Sequence, residues 1–561
     1  RREALDGCLG KLPRADRETT WSPYYRIDFE PTHNIVTANL IGGHQQIVPL
    51  GQVRSEQYSW PHSFRRDIAP AWPPFRRVLI IGAGSGNDLA RAVQWCPKDA
   101  KIDAVEIDPV IQRIGFERNP DRPYQDPRVT PHLNDGRNFL RTAPAGEYDL
   151  VVFALVDSLV LHSGYSNLRL ESYLFTLESF RDVRRALKPS GVCFVYNYFR
   201  QGWIAGRLRD AMRDTLGADP VVLTDPPREH IAADLFDSDS ATVFVGGSAE
   251  ALHPLRAAFA KAGNSYWVVG DRPRTPDTPA HFQAKEPEPL PPPAEAPPEG
   301  ARPWVRLMTT AIDTAASGLR PATDDWPFLY SKNATIPGYT LRGIGVVVIL
   351  SGVLWWWFSR DAKRSAEPGD DPALRFGSRL HEDRGLLLRS FLLGCGFMLI
   401  ETKAVVQMAL LFGSTWTVNT VVFAAILVMA LAGNLFAAWV KPAKLWPYYA
   451  GLFFALGANL LVPVDSFLGM DPVAQVTASC GLVFAPVAFA GVIFPVSFAR
   501  APHADRFFGA NVAGALVGGL VGDASMLLGF RDLWLLAAVF YAASGLFGGR
   551  TVPTPEAKRG V

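Results

Sequence analysis

Three glycines and one acid have the clearest chemical use in this chain. Gly82, Gly84 and Gly86 alternate within R-V-L-I-I-G-A-G-S-G-N-D-L-A-R-A-V, which begins at Arg77. Glycine lets the backbone turn sharply and lets a ligand come close to it. Glu106 closes the later run K-I-D-A-V-E. Its place, about 20 residues beyond the glycines, suits a carboxylate that accepts hydrogen bonds from both hydroxyls of a ribose. A nucleoside-type ligand is expected here, against the plainer alternative of a βα turn that binds nothing.

The neighbouring elements must position that turn. Residues 78–81 are long or branched and apolar, as a strand covered on both faces requires. Helix formers follow over 88–95, and 101–106 makes a second strand. Asp108-Pro109 starts a helix that runs to Phe116. Residues 128–133 read as a third strand before Asn134-Asp135-Gly136, and 137–141 as a short helix. Y-D-L-V-V-F at 148–153 is another buried strand, 172–187 an amphipathic helix, 192–196 a strand and 203–216 a helix. Residues 221–223 and 241–245 close the series. This alternation predicts an α/β doubly wound sheet with ligands at the carboxyl ends of its strands. Ahead of it, Y-Y-R-I-D-F, N-I-V-T-A-N-L-I and H-Q-Q-I-V predict a small antiparallel β unit.

Length and composition bound the rest. The 561 residues allow several domains, and a net charge of +2 gives no reason to expect a nucleic acid partner. Apolar residues dominate after Tyr339, which predicts a soluble domain fused to a membrane domain. Cys8, Cys96, Cys193, Cys395 and Cys480 form no C-x-x-C pair, so neither a metal site nor a disulfide framework is expected. The chain opens with Arg1 rather than Met, and its natural start is expected upstream. The predicted parts are a lead-in and β unit (1–70), a nucleoside-cofactor domain (71–270) and a Pro-rich linker (271–303). A juxtamembrane segment (304–338, helical over 304–319), an all-α polytopic membrane domain (339–548) and a polar tail (549–561) follow.

From Tyr58 to Phe199 the motifs V-L-I-I-G-A-G-S-G, V-E-I-D-P, D-P-R-V, D-G-R-N-F-L, Y-D-L-V-V, Y-L-F-T and A-L-K-P-S-G occur in sequence. In order and spacing they resemble the spermidine synthase (aminopropyltransferase) family. The resemblance implies the Rossmann-like fold of S-adenosylmethionine methyltransferases. It implies decarboxylated S-adenosylmethionine, or S-adenosylmethionine itself, as cofactor. Gly82, Gly84, Ser85 and Gly86 would line the nucleoside site, Glu106 would hold the ribose, and Asp135 and Gly136 would meet the adenine. Tyr58 and one of Gln45 or Gln46 would face the amine substrate, with Gln46 and Tyr173 taken as candidates.

Two positions depart from the family. Its glycine turn reads G-G-G-D-G, and the aspartate holds the charged tail of the cofactor; here Ser85 stands in that place, as in methyltransferase turns. After the Y-D-x-x-x strand the family has D-x-x-D-P, whose first aspartate is the base for the attacking amine. In F-A-L-V-D-S that position is Ala154, and the second aspartate is Asp157. An amine is protonated at neutral pH and must lose a proton before it attacks carbon, so Asp157 is the candidate base or else a turn cap. The following loop is longer than the family's, and His162, Tyr165, Arg169 and Tyr173 are candidates for binding a different acceptor.

Candidate spans in the apolar half are 339–358, 385–412, 417–440, 445–464, 473–498, 508–530 and 533–547, to be set against the roughly 20 residues that cross a bilayer. Trp355, Trp356, Trp357, Trp446, Tyr448 and Tyr449 fit an interfacial belt. Gly509, Gly514, Gly518, Gly519 and Gly522 predict close helix contact. Glu401, Lys403 and Asp523 are intramembrane ionisable groups, read as a polar site or as structural ion pairs. F-M-L-I-E-T-K-A-V-V-Q, L-L-F-G-S-T-W-T-V-N-T-V-V-F-A and T-D-D-W-P-F-L-Y resemble bacterial proteins that fuse a spermidine synthase-like domain to many helices. Asp324 and Asp325 in the last motif are read as a solvated turn beside an aromatic anchor, or as a lure for a cationic amine. Arg360, Lys363, Arg364, Arg375, Arg379 and Arg384 crowd the loop after 339–358. Positive-inside reasoning then makes 339–358 an interfacial or half-crossing helix followed by six spans. The enzyme domain would lie on the cytoplasmic side of a bacterial inner membrane.

The expected function is membrane-anchored transfer of an aminopropyl group to a small polyamine, with the lipid bilayer as the other partner and oligomerisation left open. Methyl transfer is one alternative. A catalytically inactive polyamine- or nucleoside-sensing domain on a membrane carrier is another.

Overall fold

A computed structural model describes residues 17–38, 43–50, 57–156, 161–163, 166–236, 240–269, 304–316, 318–364 and 372–547. Two compact units emerge: one within residues 1–333 that also takes in Gly413–Trp416, the other built from the helices after Ala334.

The first unit opens with the expected β unit. Strands β1 (Glu18–Trp21), β2 (Arg26–Glu30), β3 (Ile35–Ala38) and β4 (Gly43–Gln46) pair antiparallel in chain order. Ile27, Phe29 and Val36 form its buried face with Ile47 and Val110, the period-two pattern of a half-covered sheet.

The main sheet is built from β5 (Arg77–Ile81), β6 (Lys101–Glu106), β7 (Val129–Leu133) and β8 (Tyr148–Ala154). Two short strands follow, β9 (Leu161–Ser163) and β10 (Ser166–Arg169), then β11 (Leu187–Asn197), β12 (Val221–Asp225), β13 (His230–Ile231) and β14 (Ala241–Gly247). Seven of these lie in the order β12-β14-β11-β8-β5-β6-β7. The five from β11 to β7 are parallel; β14 and β12 close one edge antiparallel. The chain runs outward in one direction from β5 through β6 and β7, then returns to β8 on the other side. That reversal leaves a crevice at the carboxyl end of β5, where open α/β sheets take ligands. Helices α1 (Asn87–Trp95), α2 (Pro109–Arg118), α3 (Gly136–Thr142), α4 (Leu177–Ala186), α5 (Gly202–Leu216) and α6 (Ala249–Lys261) connect the strands. Alternate residues of each strand serve opposite cores: Val78, Ile80 and Val152 pack with Trp60, Phe64 and Leu89, while Leu79, Ile81 and Phe153 pack with Phe180 and Leu208.

The region expected to be helical over 304–319 instead holds two strands and a single helical turn. β15 (Ser265–Val269) pairs antiparallel with β16 (Trp304–Met308), and β17 (Ala311–Ile312) pairs parallel with β13. Buried Leu307 stands in register with Tyr266 across the β15–β16 pair. The Pro-rich linker and the polar tail lie outside the described residues.

The segment that follows β17, as far as Asn333, also belongs to the first unit. Buried Arg207 on α5 donates to the carbonyls of Leu329 at 2.6 Å, Ser331 at 2.8 Å and Lys332 at 3.0 Å. Its guanidinium lies 5.1 Å from the Trp203 ring centre and 5.4 Å from that of Trp326. Charge-assisted hydrogen bonds contribute about 1.5–3 kcal/mol each. Arg207→Ala is therefore expected to release residues 326–332 and to lower the stability of the unit by about 3 kcal/mol. Limited proteolysis should then cut near Ser331 well before it cuts the native chain.

The second unit is helical: α7 (Gly338–Arg364), α8 (Pro372–Phe412), α9 (Trp416–Val440), α10 (Trp446–Leu461), α11 (Pro472–Ala499), α12 (Ala504–Val521) and α13 (Leu533–Leu546). Four stretches, Gly385–Phe412, Val418–Val440, Val473–Ala499 and Ala504–Leu528, are long and apolar enough to cross a membrane. Thr340–Val353 and Leu533–Leu546 are apolar but shorter. Trp439 is 86% and Phe454 79% exposed, an outward apolar surface suited to lipid.

Close contact between α8 and α12 rests on glycine. A Cβ on Gly514 would lie 1.9 Å from the Phe391 carbonyl oxygen, and one on Gly518 would lie 2.5 Å from that of Cys395. Ser390 Oγ donates to Phe507 O at 2.6 Å, and Asn511 Nδ2 to Ser390 O at 3.0 Å. Gly509, expected in the same stripe, faces open space. Gly514→Val is thus expected to abolish a monodisperse peak on size-exclusion in detergent, whereas Gly509→Ala leaves it unchanged.

Candidate nucleoside site

The glycine turn sits in the crevice at the end of β5. Gly82, Gly84 and Gly86 have φ of +73°, +56° and +95°, left-handed values that strain any residue with a Cβ. Gly86 N–H closes the turn on Ala83 O at 3.0 Å. Gly136 approaches from the loop after β7, so close that a Cβ there would lie 2.4 Å from Ile81 Cγ2.

Glu106 ends β6 beneath this turn. One carboxylate oxygen accepts Gly84 N–H at 2.8 Å, the other Asp108 N–H at 2.9 Å. An ionised carboxylate offers about four acceptor positions, so these two hydrogen bonds do not exhaust it. Burial pushes the Glu106 carboxyl up to about 7. Asp135 caps α3 by accepting Asn138 N–H at 2.9 Å, and its second oxygen accepts Ser414 N–H at 3.2 Å. Burial raises its carboxyl, and that of Asp108.

Ser85 is buried, and its N–H and O–H both donate to Gln45 Oε1, at 3.2 and 3.0 Å. Gln46, the candidate carried for the substrate, is exposed and reaches His33 O at 3.4 Å. Neighbouring residues of a strand point to opposite faces, so only one of the two glutamines can serve the crevice. Asn87 fastens the β unit to the turn: Oδ1 accepts Val48 N–H at 3.0 Å, and Nδ2 donates to Gln46 O at 2.8 Å.

Residues 71–206 match the spermine/spermidine synthase domain. This part of the chain is spermidine synthase-like. Spermidine synthase 1 of Hyoscyamus niger is 38% identical over 122 residues, which are 21% of this chain and 36% of that protein. The polyamine aminopropyltransferase of Clostridium acetobutylicum is 25% identical over 174 residues, 30% of this chain and 56% of that protein. Putrescine N-methyltransferase 4 of Nicotiana tabacum is 37% identical over 122 residues, 21% of this chain and 29% of that protein. The chain thus spans between 29% and 56% of the length of these relatives.

Among the other candidate residues of the spermidine synthase-like domain, Tyr58 is buried with the Arg91 guanidinium 5.8 Å from its ring centre. Ala154 ends β8 in register with Tyr196 of β11, whose hydroxyl donates to Asp88. Burial pushes the Asp88 carboxyl up to about 8. This Tyr–Asp pair was not singled out from sequence; its one local signal was an acid among the buried residues of α1. Leu155, just past Ala154, has a φ of +49°, a conformation that costs a non-glycine residue about 1–2 kcal/mol. Asp157 and Tyr165 lie outside the described residues, as do the side chains of His162 and Arg169. Tyr173 is buried, and its hydroxyl has no hydrogen-bond partner among the described residues. Glu401 and Lys403 flank Thr402 on α8 of the second unit. A Cβ on Gly522 would lie 3.9 Å from Thr402 Cγ2, and Asp523 follows in the turn Gly522–Ala524. Among the described residues no cluster of three or more His, Cys, Asp or Glu side chains is placed to hold a metal.

Proposed function

We propose that the spermidine synthase-like domain binds decarboxylated S-adenosylmethionine and transfers its aminopropyl group to a polyamine-type amine, in a chain held in a membrane by its helices. The observation that carries this reading is Glu106, anchored through both oxygens to the backbone around the glycine turn. Its remaining acceptor capacity suits the ribose hydroxyls, and the Asp135 carboxylate suits the adenine amino group. Gln45 Oε1 holds Ser85, which stands where the family's aspartate would be, and the Ser85 hydroxyl oxygen keeps its lone pairs as an acceptor for an ammonium tail. In the reaction the amine first gives up a proton, with Asp157 as the proposed base. Its nitrogen then bonds to the aminopropyl carbon while the carbon–sulfur bond breaks and its electron pair goes to sulfur.

A second reading, methyl transfer from S-adenosylmethionine to the same class of amine, is favoured by Ser85 and Ala154. It is also favoured by the likeness to a protein named putrescine N-methyltransferase. Calorimetric titration of the full chain in nanodiscs with each cofactor tests both. Tighter binding of the decarboxylated form supports aminopropyl transfer. Tighter binding of the parent cofactor moves the reading to methyl transfer, and binding of neither overturns both. The basic residues that crowd the chain after α7, from Arg360 to Arg384, support an interfacial or half-crossing α7 with the domain on the cytoplasmic side of a bacterial inner membrane. Single cysteines at Ser365 and in the domain should then share one pattern of labelling, and opposite accessibility overturns the arrangement.

A further inference from the structure

Asp324, expected as part of a solvated turn, is the centre of a polar cluster. One oxygen meets Arg137 Nη2 at 3.0 Å, the other accepts from Thr176 Oγ1 at 2.7 Å, and its N–H donates to Glu178 Oε2 at 2.9 Å. Its side chain is only 19% exposed. Arg137 is buried, and its second arm is held by Asp182 of α4. The guanidinium is thus gripped from two sides, by α4 and by a segment almost 190 residues downstream (|i−j| = 187).

Arg137 stands two residues after Asp135 and opens the first turn of α3. Its N–H and its positive charge both act on the Asp135 carboxyl, holding it down against the upward push of burial. Where the guanidinium is placed therefore decides where the first turn of α3, and with it the Asp135–Gly136 corner, comes to rest. The corner has little slack, because Gly136 is already pressed against Ile81.

We infer that Asp324 is a positioning residue for base recognition: through Arg137 it fixes the Asp135–Gly136 corner that reads the adenine amino group. The inference rests on the proposed nucleoside site and deepens it. Adenine presents an N–H donor to Asp135, whereas hypoxanthine presents a carbonyl oxygen that faces the carboxylate unfavourably. A buried hydrogen-bonding site of this kind rejects the mismatched ligand by about 100-fold or more.

The test compares S-adenosylhomocysteine with S-inosylhomocysteine on the full chain in nanodiscs. The native chain should prefer the adenosyl ligand about 100-fold, and Asp324→Asn should reduce that preference at least tenfold. A ratio of affinities does not depend on how much of the sample is folded, so a purely structural role would weaken both ligands in parallel. An unchanged ratio in Asp324→Asn overturns the inference while the nucleoside site stands. A native chain that binds neither ligand overturns the site and the inference together. Should Asp324→Asn fail to fold, Thr176→Val removes one of its partners more gently; a smaller fall in the same ratio supports the inference, and no fall overturns it.

Discussion

Glu106→Gln is expected to weaken binding of an S-adenosyl ligand about 100-fold, which corresponds to roughly 3 kcal/mol. The substitution keeps the size of the side chain and removes its charge. Both carboxylate oxygens accept backbone N–H groups, from Gly84 and from Asp108. A glutamine must therefore turn its NH2 toward one of two donors, which leaves that contact unmade and the glycine turn loosened. The ribose also loses one of its two acceptors. Equilibrium titration of the full chain should show the loss, while the melting temperature of the unliganded protein changes by a few degrees at most. A dissociation constant within threefold of native would remove Glu106 from the ligand site.

In an Asp157→Asn background, which removes the proposed base, Ala154→Asp is expected to accelerate aminopropyl transfer by about 100- to 10,000-fold, the usual contribution of a positioned base. Ala154 shares a buried face with Tyr58 and Tyr196. It ends β8 beside the crevice, in the place where the sequence pattern of the family has its first aspartate. A carboxylate there would take the proton that the incoming amine must lose. The rate of thioether nucleoside release from the decarboxylated cofactor measures the effect. An unchanged rate with undiminished cofactor binding would show that the base is neither Asp157 nor a group at position 154. A parallel test of Asp88→Asn would then ask whether that acid serves.

What was legible in the sequence was local. The glycine turn, Glu106 and Asp135 lie within or just beyond single βα units, and the spacing of each unit fixes the geometry of the turn it contains. The parallel sheet and the antiparallel β unit followed from alternation patterns of the same short range. What was not legible depends on partners far apart in the chain. Tyr196 and Asp88 are 108 residues apart, and β16 finds its partner β15 only across residues 270–303. Arg207 reads as one more cation on an amphipathic helix until the carbonyls of residues 329–332 are seen around it. The choice between Gln45 and Gln46 turned on strand register, since one step in register exchanges the two faces. Asp324 read as a surface turn because the residues that bury it come from α3 and α4.

The buried acids around the glycine turn have a thermodynamic consequence. Burial lifts Glu106 from 4.5 to about 7 and raises Asp108 and Asp135 in the same direction. The folded, unliganded domain therefore holds more protons than the unfolded chain between those values, and Glu106 makes it less stable as pH climbs from 4.5 to 7. A sulfonium ion entering the crevice favours the ionised acids and drives those protons out. Binding heat measured at pH 7 should then differ between phosphate and Tris in proportion to the ionisation enthalpies of the two buffers. Affinity should rise with pH until Glu106 is fully ionised and level off above about pH 8. The domain would act as a proton exchanger, giving up a fraction of a proton for each cationic cofactor it admits.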